Sequence, residues 1–162
     1  MNEENRFAIF NHNYSPFSMN GSFCRWLPDY IAFWRIAMTR AEIEKYIAET
    51  YGATPEYPWL SAPRYAVYRH GNNRKWFAVV MDIPKNRLGI ACDEIADVLN
   101  LKCDPLLLGA LVREAGIFPA YHMHKGHWIS VLLEDVPEEQ IKFLLGMSFE
   151  LTEDKKRRQI AK

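Results

Sequence analysis

The side chains best suited to chemistry sit together at His122-x-His124-x-x-His127. Imidazole ligates zinc and other transition metals, and three imidazoles make most of a coordination shell. Along extended backbone His122 and His124 point to one side, and a turn swings His127 toward them. The spacing is not the helical two-histidine pattern with an intervening glutamate. No carboxylate lies nearby in sequence to orient the rings. The leading expectation is a hairpin framed by histidines through imidazole–backbone bonds, with no metal and no cofactor. A metal site on His122, His124 and His127 is the subordinate reading. Cys24, Cys92 and Cys103 form no C-x-x-C pair, and an odd three is no disulfide framework, which points to a reducing cytosol. Cys103 precedes Asp104 at a helix start, where the dipole favours thiolate, although a small buried hydrophobe is the simpler role.

A second set of side chains suits phosphate. Arg64, Arg69, Arg74, Lys75, Lys102 and Lys125 lie on or beside strand-like segments that also carry Tyr68 and Trp76. Strand-borne cations pair with phosphates and aromatics stack on bases. Whole-chain charge offers no help, because 20 basic residues balance 20 acidic ones. Any anionic partner must be met by a local patch formed on folding. The competing reading is solvated charge that discourages edge-to-edge pairing of strands. There is no Gly-rich phosphate loop, no G-x-S-x-G and no zinc-finger spacing, so catalysis is not expected.

Elements with enough core must hold these groups in place. The 162 residues are 49% hydrophobic and 25% charged, which suits one globular domain and excludes a disordered or collagen-like chain. No apolar run reaches membrane-spanning length and the start lacks a signal-peptide core, so a cytoplasmic protein without a membrane partner is expected. Residues 1–38 carry many aromatics without a sustained period and read as an extension. It packs on the main domain or on a second copy, giving a homodimer. At Thr39-Arg40-Ala41-Glu42 a capping box opens a helix, with Ile43, Tyr46, Ile47 and Tyr51 on one face and Gly52 as its stop. Strands are expected at 65–69, 75–81, 87–92 and 95–102, with a positive-φ hairpin turn at His70-Gly71-Asn72-Asn73. Asp104-Pro105 starts a second helix. Two more strands follow at 117–122 and 128–133, and Pro137 opens a third helix. The order α-ββββ-α-ββ-α describes an α+β domain over 39–151, an antiparallel sheet with helices on one face, followed by a basic tail at 152–162.

Four blocks then carry a family resemblance. Tyr57-Pro58-Trp59, Lys75-Trp76-Phe77-Ala78, Asn100-Leu101-Lys102-Cys103-Asp104-Pro105 and Pro119-Ala120-Tyr121-His122-Met123-x-Lys125-x-His127-Trp128-Ile129 resemble the MmcQ/YjbR family across residues 39–152. The resemblance implies a CyaY-like (frataxin-like) double-wing architecture and the DNA-binding label the family commonly carries. His124 stands where Asn is common and Gly126 where a second Lys is common, which removes one phosphate contact. Glu42, Glu44 and Glu49 copy the acidic ridge of frataxin-like iron binding poorly, so that function is not carried over.

The expectation is thus a non-catalytic protein whose partner is DNA, contacted through Arg74, Lys75, Lys102 and Lys125. The alternative is a small-ligand or protein-binding groove lined by Tyr57, Trp59, Trp76, His122, His127 and Trp128.

Overall fold

The computed structural model describes residues 37–154; the expectations for the N-terminal extension up to residue 36 and for the tail from residue 155 fall outside the described residues. Helix α1, Arg40–Tyr51, begins at the capping box: the Thr39 amide donates to Glu42 and the Glu42 amide donates to the Thr39 hydroxyl. Bonds donated by the Thr39 amide and hydroxyl hold the Glu42 carboxyl below its ordinary range. Gly52, at φ 62°, closes the helix as its residue type predicts.

Five strands follow: β1 (Ala66–Arg69), β2 (Trp76–Pro84), β3 (Ile95–Lys102), β4 (Ile117–Pro119) and β5 (Trp128–Leu132). They pair antiparallel in the order β1-β2-β3-β5-β4. Helix α2, Pro105–Leu111, separates β3 from β4, and α3, Glu138–Thr152, follows β5. The fold is α+β, and the helices cover one face of the sheet. Ile43 and Ile47 of α1 and Ile141, Leu144 and Leu145 of α3 join Tyr68, Phe77, Val80, Leu99, Leu101 and Ile129 in one buried cluster.

The other face has no helix. Val67, Val79, Met81, Ile83, Val98 and Leu132 are covered there by loop residues, including Trp59, Tyr65, Leu88, Ile90, Tyr121 and Met123. Alternation along each strand divides the two sets. One irregularity departs from it. Tyr68 pairs with Ala78 but Arg69 pairs with Trp76, so Phe77 is an extra residue in β2. The bulge sends both Phe77 and Ala78 to the helix face. There Ser148 of α3 donates to the Phe77 carbonyl (2.5 Å) and accepts from the Lys102 amide (2.7 Å), stitching β2 to β3.

Two expectations are corrected. Residues 87–92 form no strand, so the order is α-βββ-α-ββ-α. Lys85–Leu88 makes a 3-10 turn that ends at Gly89, φ 86°. Leu88 and Ile90 alternate like a strand, yet no neighbour is open to them, because Pro84 pairs directly with Ile95 across the β2–β3 hairpin. Lys85 anchors this loop to Glu94 (2.7 Å) and Glu134 (2.6 Å), and those bonds hold its ammonium well above the ordinary lysine range. In the β1–β2 turn the left-handed residue is Arg74, φ 59°, not Gly71, Asn72 or Asn73. Asn73 is spent elsewhere, since its side chain accepts from the Lys75 amide and donates to the Thr152 carbonyl. Ahead of α1, Met38 is buried in the helix-face core and Ala37 bridges Pro137.

Candidate nucleic-acid interface

Register places four side chains in a row on the loop-covered face, at one end of the sheet. Arg69 pairs with Trp76, and Lys102 pairs with Trp128. Arg69 shares the face of Val67, Lys102 that of Val98, and Trp128 that of Leu132. The Arg69 guanidinium lies 4.8 Å above the Trp76 ring, and the Lys102 ammonium lies 5.6 Å above Trp128. Cation and indole therefore alternate across four neighbouring strands, a span of about 14 Å at ordinary strand spacing.

Beside this row stands the loop from β4 to β5, held by a buried polar knot. Asn100 and Ser130 face each other across β3 and β5 and are both fully buried. Ser130 donates to the Asn100 side chain (2.6 Å) and accepts from the Tyr121 amide (2.9 Å). Asn100 donates to the Tyr121 carbonyl (2.8 Å). Both main-chain groups of Tyr121 are thus satisfied by side chains, which fixes where the histidine segment leaves the sheet. Sequence reasoning missed this pair. Its signal was an Asn and a Ser at inward positions of otherwise apolar strands.

The knot explains the histidines. His122 takes φ 56°, and its ring packs at a tilt against Tyr121, 4.0 Å between centroids. That left-handed turn breaks the extended alternation needed to set His122 beside His124. His124 accepts from the Gly126 amide (3.2 Å), and the His127 amide donates to the His124 carbonyl (3.0 Å), closing the turn. The His124 and His127 rings lie 5.1 Å apart, but no group of three His, Cys, Asp or Glu among the described residues is placed to hold a metal ion, so His122 does not complete a site with them. The groove candidates are likewise divided. Trp59 packs edge-on against Trp76 (5.7 Å), Trp128 is buried beneath Lys102, and Tyr57 is half exposed. Of these candidates, Trp59 and Trp76 pack on each other.

The cations separate into two groups. Glu56 receives both Arg69 (3.0 Å) and Arg74 (2.5 Å), and the Arg74 bond leads in holding its carboxyl below the usual range. Arg64 is paired with Asp82 (2.8 Å). Lys75, Lys102 and Lys125 have no carboxylate within 4 Å among the described residues. All three lie at the same end of the sheet, where β2 starts, β3 ends and the chain enters β5. Of the four cations named from sequence, three have no acidic partner among the described residues and Arg74 has one. Cys103 is buried, and burial raises its thiol above the ordinary range, against the thiolate reading.

Behind the hairpin, a cleft of about 340 Å³ lies between the ends of α1 and α3, with Glu56, Arg69, His70 and Arg74 on its wall. His70 is buried there against Phe149 (4.2 Å) and bonded to the Thr152 hydroxyl (2.8 Å). Thr152 gives its proton to the Ser148 carbonyl, so His70 serves it as a donor. Burial pushes the imidazole below its ordinary range.

A five-stranded antiparallel sheet with three helices on one face and this loop-covered second face defines the class of protein. The chain belongs to the YjbR family, which it matches over residues 39–151. It is 43% identical over 116 residues to the uncharacterized protein YyaQ of Bacillus subtilis (strain 168), covering 71% of this chain and 98% of that one. A Pseudomonas syringae protein known from a crystal structure is 44% identical, with a TM-score of 0.70, over 72% of this chain and all of that chain. Deinococcus radiodurans protein DR2400, at 24% identity and a TM-score of 0.55 over 73% of this chain and 80% of that chain, shares the fold. No described helix is long and apolar enough to cross a membrane.

Proposed function

We propose that this protein binds DNA through the end of its loop-covered sheet face, as a binder and not a catalyst. Lys102 carries the reading: it lies over Trp128, has no carboxylate within 4 Å among the described residues, and its strand β3 pairs with both β2, which follows Lys75, and β5, which follows Lys125. An ammonium already resting on an indole loses little freedom on meeting a phosphate, and it keeps its charge available. Because Arg69 covers Trp76 and Lys102 covers Trp128, the indoles are not open platforms for bases. The interface therefore favours sugar–phosphate contact without sequence preference, and duplex over single strands.

A fluorescent duplex titrated at several salt concentrations tests this. The log–log slope should become shallower by roughly 0.9 for each of Lys102→Ala and Lys125→Ala. Arg74→Ala should change it least, since Glu56 already occupies that guanidinium. Absence of binding at low salt, or slopes indifferent to Lys102, would remove the proposal.

A further inference from the structure

Helix α2 is the anomaly of the fold: its sequence, PLLLGAL, is apolar, yet none of its residues is buried. Leu106 is 91% exposed and Leu107 44%. Leu108, Leu111 and Val112 touch the core only partly. Alongside runs α3, antiparallel to it. Gln140 near the start of α3 bonds Glu114 just past the end of α2, while Ser148 near the end of α3 bonds Lys102 just before α2 begins. Helical spacing from these contacts identifies the facing flanks. On α2 the flank beside Glu114 carries Leu107 and Leu111. On α3 the flank beside Gln140 carries Met147 and Leu151, with Phe143 above them at 65% exposure. The opposite flank of α3 is already engaged, since Lys142 and Phe149 pack on α1 through Tyr46 and Tyr51.

The result is an apolar channel between two helices, open to solvent and bordered by acids. Asp104, Glu114 and Glu150 have no basic partner within 4 Å among the described residues, whereas Glu139 is paired with Lys142 (3.7 Å). Of the bases here, Arg113 lies on the outer side of α2, and Lys142 is turned toward α1 with Glu138. Two antiparallel helices offering an apolar seam accept a third helix lengthwise. The acidic border selects its charge. We propose that the α2–α3 groove docks an amphipathic helix of a protein partner, with an apolar stripe for the channel and lysine or arginine flanking it. The inference rests on this surface alone and is independent of the DNA reading, which concerns the opposite face of the sheet.

Two peptides of about 18 residues, or five helical turns, share one leucine stripe and differ in having Lys or Glu on the polar face. Added to the full chain and read by anisotropy, the Lys peptide is expected to bind, and the Glu peptide at least tenfold more weakly. Phe143→Ser should weaken the Lys peptide at least tenfold without altering the melt, whereas Leu60→Ser, an exposed residue elsewhere, should change nothing. Equal binding of both peptides, binding of neither, or indifference to Phe143→Ser overturns the proposal. Alkylation of Phe143→Cys, followed at that site by mass spectrometry, examines other occupants. Fast labelling that the Lys peptide slows is the expected result. Slow labelling that quickens on dilution means a second copy fills the groove, and slow labelling at every dilution means the chain covers it itself; either overturns the proposal.

Discussion

The two faces of the sheet are closed by different physics. On the helix face Ile43, Ile47, Ile141, Leu144 and Leu145 meet apolar strand residues, and area removed from water holds the layer together. On the loop face Val67, Val79, Met81 and Val98 are covered by segments without regular structure, and directed bonds fix the cover where apolar area alone does not. Asn100 and Ser130 clamp Tyr121, and Lys85 ties its loop to Glu94 and Glu134. Non-directional burial tolerates repacking, but a buried polar knot is specific and fails when one member is missing. The face held by specific bonds is also the one that presents the cation–indole row and, at its border, two non-glycine residues at positive φ, Arg74 and His122. Strained backbone of this kind persists where surrounding structure over-determines it.

That contrast sets an order of expected effects. Leu144→Ala on the helix face should be the most damaging, lowering unfolding free energy by about 2–5 kcal/mol with amide exchange rising across the whole domain. Ser130→Ala on the loop face should cost less, about 1–3 kcal/mol, from the partners it strands. Its added exchange should be concentrated in the 119–127 segment, and DNA affinity should fall with it. Uniform exchange in both variants would abolish the distinction between the faces.

A smaller effect belongs to His70. Its folded imidazole resists protonation, so the native state binds fewer protons than the unfolded chain below the ordinary histidine range. Stability is then fully present above about pH 6.5 and declines as the solution is acidified toward pH 5. Denaturant melts across that window should show a decline that is reduced in His70→Phe. The smallest change should be a gain. The Tyr68 hydroxyl is the one buried side-chain polar atom without a partner among the described residues, and burial raises its ionisation well above the ordinary range. Tyr68→Phe should therefore raise stability by about 1 kcal/mol. A loss would mean that a bound water already satisfies the hydroxyl.

Much of the helix face could be read from residue order alone. Period and caps are local properties, and Thr39 with Glu42, Gly52, and Asp104 with Pro105 all act within a few residues. The loop face was less legible because its determinants are pairings across the sheet. Leu88 and Ile90 alternate as strand residues do, and only the direct pairing of Pro84 with Ile95 denies them a neighbour. Asn72 and Asn73 tolerate left-handed backbone, yet Asn73 spends its side chain on Lys75 and Thr152, and Arg74 takes the turn. Glu56 is distant from Arg74 in sequence and neutralises it through a single backbone bridge to Val67. Lys75, Lys102 and Lys125 were nameable, but their gathering at one end of the sheet depends on register.

The central claim is that the row at the end of the loop face, and not the helix layer, meets DNA. Its most direct test is an amide chemical-shift map of the labelled full chain with and without a duplex at low salt. The account predicts shifts confined to residues 69–76, 101–104 and 122–128, disappearing as salt is raised. Shifts centred on α2 and α3, or none at all, would contradict it.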